Sequence, residues 1–172
     1  MATAAAPILV SVEEYLRNPE WERAEYVDGI IEEKAMPEED HAAWQLAICF
    51  WFAQHAEQWN IKVRPEYRTK AADTRYRIPD VSIKDFDVPR EPVAVTPHLA
   101  VFEIWSPEDR MRKMLIKLAD YEKKGVQHIW TVDPADGVWQ RFVDGRLVDQ
   151  EIFQMPDRGI EFNMNEISKL VR

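Results

Sequence analysis

The sequence predicts a single α/β domain built on a central mixed β-sheet flanked by helices, and three observations carry that expectation. The chain has 172 residues, of which 46% are apolar, enough to enclose a real core. Short strand-like runs alternate with two long helical stretches, with no internal repeat and no linker composition between them. The run Gln127–Val132 is almost uniformly apolar and follows a helical stretch, the pattern of a strand covered on both faces.

Taken in order, residues 1–10 read as a flexible tail and 11–172 as the domain. Ser11-Val12-Glu13-Glu14 has capping-box spacing and opens a short helix that ends near Asn18-Pro19. Asp28-Gly29 sits between two strand-like runs and predicts a hairpin. From Glu39 to Trp59 the chain is apolar on nearly every side, which predicts one long buried helix, or one that also covers a subunit interface. Three strands are expected at Ile61–Tyr67, Tyr76–Lys84 and His98–Trp105. A helix then runs from Asp109 to Lys124, with Met111, Leu115, Leu118 and Tyr121 on its inner stripe and Gly125 as its stop. After the Gln127–Val132 strand, Asp136-Gly137 and Asp144-Gly145 mark the turns of a C-terminal strand meander, and a short helix closes the chain.

Composition narrows the function. The 22 Lys and Arg against 31 Asp and Glu give a net charge of −9, which excludes a general basic coat for nucleic acid but not a local basic groove. Charge is sorted along the chain: residues 1–40 hold 3 basic and 11 acidic side chains, whereas 62–77 and 110–124 each hold 6 basic and 2 acidic. Solvated faces that merely balance one another would produce the same pattern. The lone Cys49 lies in an apolar run and predicts a core thiol in a reduced setting. The four histidines and one cysteine lack zinc-site spacing. The N-terminus has no basic region ahead of its apolar residues, and no apolar run is long enough to span a bilayer, so a cytoplasmic protein with no membrane association is expected.

Two carboxylates stand out. Asp80 follows a proline inside a strand-like run, and Glu103 lies 23 residues later between Phe102 and Ile104. An acid in an apolar strand is costly unless it is paired, hydrogen-bonded or bound to metal. On neighbouring strands, Asp80 and Glu103 could converge on one hard cation such as Mg²⁺. Each could equally be paired with a nearby Arg or Lys. If they do share a site, their like charges should repel, and Asp80→Ala should relieve the metal-free protein.

The segments E-Y-V-D-G, I-P-D-V-S, F-E-I-W-S-P, K-L-A-D-Y-x-x-x-G-V and I-W-T-V-D-P, in this order, resemble the bacterial putative restriction endonuclease family, long known as a domain of unknown function. That family belongs to the PD-(D/E)xK nucleases, and the resemblance runs from Ser11 to Asp144. It implies a restriction-endonuclease-like fold and a Mg²⁺-dependent endonuclease acting on DNA, with Mn²⁺ as an alternative ion. It implies Asp80, Glu103 and the Ile104 carbonyl as metal ligands, with Glu25 as an upstream acid binding the ion or a second one through water. The superfamily lysine two residues after the glutamate is absent, since Trp105 stands there. Lys117 matches the lysine that the resembled family carries on the following helix, four residues before a tyrosine, here Tyr121. The acid often found four residues before that lysine is replaced by Lys113. Lys113, Arg110, Arg112 and Arg77 are then candidates to contact the substrate backbone. His41 matches a common family histidine, and a capping or packing role is expected for it. A homodimer presenting two sites to a duplex is expected from the apolar Glu39–Trp59 stretch. Two other classes stay open: a non-catalytic module that binds nucleic acid or protein on the same fold, and a metal-free hydrolase using a carboxylate pair.

Overall fold

The computed structural model describes residues 8–172. The expected tail lies outside the described residues up to residue 7, and its last residue is anchored. The Val10 N–H donates to Gly29 at 2.8 Å, and the Tyr26 hydroxyl donates to the Val10 carbonyl at 2.8 Å. Helix α1 (Val12–Arg17) starts where the capping box predicts, with Ser11 Oγ accepting the Glu14 N–H at 3.1 Å. Strands β1 (Ala24–Val27) and β2 (Ile30–Glu33) form the hairpin. Asp28 and Gly29 both adopt positive φ, 50° and 93°, the turn that matches strand twist and that glycine makes cheap at its second position.

The long Glu39–Trp59 helix is broken into α2 (Glu39–Gln54) and α3 (Ala56–Trp59). The His55 ring nitrogen Nδ1 bonds the Trp51 carbonyl at 2.8 Å, occupying the acceptor that the His55 N–H would use in a continuous helix. Strand β3 (Ile61–Pro65) follows, then a strand the sequence did not signal, β4 (Thr69–Ala72), short, polar at its first two positions and bulged in its pairing. The expected Tyr76–Lys84 strand is two strands in two sheets, β5 (Arg75–Arg77) and β6 (Val81–Asp85). Pro79 has no N–H for a ladder, and the Ile78 N–H is diverted to the Glu25 carboxylate at 2.9 Å. That break leaves Asp80 at the head of β6.

Strand β7 (Ala100–Ile104) pairs antiparallel with β6 and, across helix α4 (Met111–Lys124), parallel with β8 (His128–Val132). Gly125 ends α4 at φ 100°. Strands β9 (Trp139–Val143) and β10 (Arg146–Asp149) complete the expected meander, while β11 (Ile152–Met155) and β12 (Ile160–Asn163) form a separate hairpin before α5 (Asn165–Ser168). The result is a mixed six-stranded sheet ordered β10-β9-β8-β7-β6-β3 and an antiparallel four-stranded sheet ordered β2-β1-β5-β4.

Alternation along the strands sorts the core into two layers. Phe102 and Ile104 of β7 face α2 and the β11–β12 hairpin, packing with Ile48, Phe52 and Phe153. Val101 faces α4 and packs with Met114, Leu118 and Tyr121. Met111, expected on the inner stripe of α4, is 55% exposed; Met114 takes its place, one turn nearer the core. On α2, Leu46 and Phe50 are exposed at 70% and 52%, so the helix does carry apolar side chains that this chain leaves uncovered. Among the described residues no helix is long and apolar enough to cross a membrane.

Candidate active site

The β6–β7 register pairs Val81 with Phe102, and one further step sets Asp80 opposite Glu103. Both carboxylates are buried, on the sheet end that opens into a cleft of about 380 Å³. Around them β1 contributes Glu25, the segment after β2 Lys34, the first turn of α2 His41, β5 Arg77 and α4 Lys117.

Asp80 is held on every side. Its Oδ1 accepts Lys34 Nζ at 2.8 Å, and its Oδ2 accepts the Ile104 N–H at 2.8 Å, with His41 Nε2 at 3.2 Å. Burial alone would raise its pKa, but the His41 hydrogen bond and the Lys34 and Lys117 charges outweigh it, holding the carboxyl far below the usual range. Asp80 is therefore stabilised as an anion, and the relief expected from Asp80→Ala is overturned by these partners. The strained carboxylate is Glu103. Burial lifts it to about 7, the Lys117 charge pulls it back, and the Asp80 charge adds to the rise. Glu103 Oε2 accepts Lys117 Nζ at 2.9 Å and Oε1 accepts the Tyr121 hydroxyl at 2.7 Å. Burial disfavours the Lys117 ammonium, yet Glu103, Glu25 and Asp80 together hold its pKa above the ordinary lysine value.

Glu25, expected as a metal ligand, has both oxygens committed elsewhere. Oε1 takes Lys117 Nζ and the Ile78 N–H, both at 2.9 Å, and Oε2 takes Arg77 at 2.9 Å. Burial raises its pKa, but Lys117 and Arg77 bring it net below the usual value. Among the described residues no three His, Cys, Asp or Glu side chains are grouped as around one metal ion, and a role for Glu25 through water is left to the proposal below. Asp80 and Glu103, their oxygens likewise engaged by neighbouring donors, stand opposite one another as two hard oxygen donors. Two carboxylates, with water for the remaining positions, are a fit for Mg²⁺.

Arg77, expected to reach the substrate backbone, is turned inward. Its guanidinium is buried and bridges Glu25 to the buried Asp120, at 2.9 Å and 2.7 Å. Asp120 also accepts Arg75 at 2.7 Å, and Arg75 reaches Asp28 at 2.7 Å. Arg110 and Lys113 line the cleft mouth; Lys113 is exposed and lies 3.8 Å from Glu32, and Arg112 is exposed off the lining. Lys117, not Lys113, enters the site, because α4 turns the Leu118–Tyr121 face inward and carries the Lys117 stem with it. His41 is not the simple cap or packing residue expected. Its ring bonds Asp80, and that bond outweighs burial to raise its pKa. Lys34 and the Arg77–Asp120 bridge were not foreseen: Asp120 stands in the K-L-A-D-Y segment without an assigned role, and Lys34, on a coil after the hairpin, carries no spacing signal.

The model of the Uma2 family, described as putative restriction endonuclease, matches residues 12–163. The chain belongs to that family. A crystal structure of a putative nuclease belonging to DUF820 from Anabaena variabilis ATCC 29413 superposes with a TM-score of 0.80 at 21% identity, covering 95% of this chain and 99% of that one, so the two share a fold. The cryo-EM structure of the DrdV–DNA complex aligns with a TM-score of 0.40 at 17% identity, over 76% of this chain and 10% of that one. No curated protein matches the sequence.

Proposed function

We propose that this Uma2-family chain is a divalent-metal-dependent nuclease of the PD-(D/E)xK kind that hydrolyses phosphodiester bonds of DNA. The observation that carries the reading is the juxtaposition of Asp80 and Glu103 at one sheet end, with the Lys117 ammonium on Glu103 at the floor of the cleft. Asp80, Glu103 and the Ile104 carbonyl would hold Mg²⁺ or Mn²⁺. Such an ion, when bound, neutralises phosphate charge and lowers the pKa of a bound water.

The remaining chemistry falls to side chains. Lys117 stays protonated through the neutral range, so it serves as a hydrogen-bond donor and fixed charge rather than a base. It orients the attacking water or stabilises charge gathering on the phosphorane. Glu25 positions Lys117 and would reach the ion only through water, and Tyr121 fixes the Glu103 carboxylate by donating to Oε1. Lys34 and His41 balance the Asp80 charge. Arg110, Arg112 and Lys113, outside the cleft floor, are suited to the strand backbone. The reading keeps a second copy of the chain as partner, supported by Leu46 and Phe50 on α2, and a cytoplasmic setting; light scattering at micromolar concentration tests the dimer. The complete internal pairing of the carboxylates favours one rival, a non-catalytic binding module in which these charges serve only the fold.

Nicking of supercoiled plasmid separates the two. Nicking in Mg²⁺ or Mn²⁺, abolished by EDTA and cut by orders of magnitude in Lys117→Ala with DNA affinity nearly unchanged, is expected. Intact plasmid under all metals overturns the nuclease reading in favour of the binding module.

A further inference from the structure

A second cavity, of about 370 Å³, shares no lining residue with the cleft and is walled by cations. Lys62 and Arg64 stand two residues apart on β3, the edge strand of the six-stranded sheet, and so point to one face. Their register partners on β6 are Lys84 and Ser82. Ile61, Val63, Val81 and Ile83 point the other way, into the core. Lys62 and Lys84 are therefore like charges directly opposite each other on one face, an arrangement that costs stability. Lys84 is also only 4% exposed, so water does little to screen it.

The local compensation is thin. Glu91 is the one carboxylate among the lining residues; it takes Lys84 at 2.9 Å and is shared with the Thr96 N–H and hydroxyl. Lys62 is held by the Val88 carbonyl at 2.8 Å and stands 5.0 Å over the Phe86 ring. Among the described residues Arg64 bonds only the carbonyl of Val63, at 2.7 Å, and Arg90 is exposed on the rim. Four cations thus face one carboxylate, in a chain whose net charge is −9. Two of them, Lys62 and Arg64, belong to the basic stretch between residues 62 and 77, of which only Arg77 lines the Asp80–Glu103 cleft. Two guanidinium forks beside two ammonium groups suit a tetrahedral oxyanion that accepts several charged hydrogen bonds at once.

We propose that this cavity is an anion site for a phosphate group, carried on a nucleic-acid strand or free as a small phosphate. The strand source rests on the nuclease reading; the anion site itself does not. Arg64→Gln with Arg90→Gln removes two exposed cations that hold no other side chain among the described residues, and Arg146→Gln with Arg172→Gln removes the same charge elsewhere as a control. Each protein is titrated in EDTA with a short labelled DNA duplex by fluorescence anisotropy, between about 50 and 200 mM salt, and with inorganic phosphate by calorimetry. For a strand phosphate, the Arg64/Arg90 variant should bind duplex about tenfold more weakly and lose roughly two units of salt slope, while the control matches wild type. For a small phosphate, only the inorganic phosphate titration should lose about tenfold. Equal behaviour of the variant and the control with both probes, or a wild-type chain that binds neither, overturns the site. Because these titrations exclude metal and cleavage, failure to nick plasmid bears on the nuclease reading alone.

Discussion

Replacing Arg77 with Met should destabilise the fold strongly, although the residue lies at the base of the cleft and is only 3% exposed. Its guanidinium joins Glu25 at 2.9 Å to Asp120 at 2.7 Å, the latter contact reinforced by Nε at 2.8 Å. Removing one member of a buried ion pair costs about 3–5 kcal/mol, chiefly because the partner charge is left without compensation. Here the lower end applies. Asp120 keeps Arg75 at 2.7 Å, and Glu25 keeps Lys117 and the Ile78 N–H at 2.9 Å. At about 2–4 °C per kcal/mol for a chain of this size, a loss of about 3 kcal/mol lowers the melting temperature by about 6–12 °C. Melting curves followed by circular dichroism in metal-free buffer near pH 7 give the number. The deficit should also depend on pH. Glu25 is held below its ordinary pKa in part by Arg77, a contribution present above the unfolded value of about 4.5 and lost as the pH falls below it. The gap between variant and wild type should therefore narrow as the medium is acidified. A shift below about 2 °C, or a gap indifferent to pH, would refute the assignment of Arg77 as the internal counter-charge.

Two further outcomes follow from single groups. Burial lifts the Glu103 carboxyl to about 7, so the folded chain binds that proton more tightly than the unfolded one, and its ionisation removes up to about 3 kcal/mol of stability as the pH rises from about 4.5 through 7. Denaturant unfolding of metal-free Glu103→Gln should fall off less between pH 5 and 8 than wild type, and parallel curves would sink the idea. His98 behaves in the opposite sense: burial, aided by the Lys84 charge, depresses it to about 4, so the unfolded chain takes up a proton that the folded one refuses. Stability should drop by about 3 kcal/mol as the pH falls from about 6.5 to 4, and His98→Gln should flatten that limb of the curve.

The legible parts of the fold are those in which one local signal outweighs its surroundings. The Asp28-Gly29 turn, the Ser11 cap, the Gly125 stop and the apolar β8 strand each declare themselves within a few residues. The misjudged parts depend on partners distant in sequence. Residues 76–84 read as one strand-like run interrupted by Pro79, and the break between two sheets is completed by a carboxylate more than fifty positions upstream, Glu25 accepting the Ile78 N–H. The β4 strand buries only the small side chains of Thr69 and Ala71 on one face, so its sequence shows no large apolar alternation. His55 interrupts a helix through a ring nitrogen that no propensity scale describes.

The site divides along the same line. Asp80 and Glu103 were visible because each is an acid in a strand-like run, and Lys117 through its match to the lysine of the resembled family, four residues before Tyr121. Their counter-charges were not visible, because a lysine on a coil and an arginine in a basic stretch violate nothing. Yet the counter-charges decide which acid is poised. From sequence, Asp80 and Glu103 are equivalent and repel each other. In the structure, Asp80 receives Lys34, His41 and the Ile104 N–H, whereas Glu103 shares Lys117 with Glu25 and otherwise has only a tyrosine hydroxyl. The asymmetry leaves Asp80 a fixed anion and Glu103, lifted to about 7, the more readily protonated of the two. On the proposed function, a divalent cation at this pair would add a second positive partner to the Glu103 charge that Lys117 already compensates. Metal affinity would then be tied to a group whose ionisation weakens the metal-free fold.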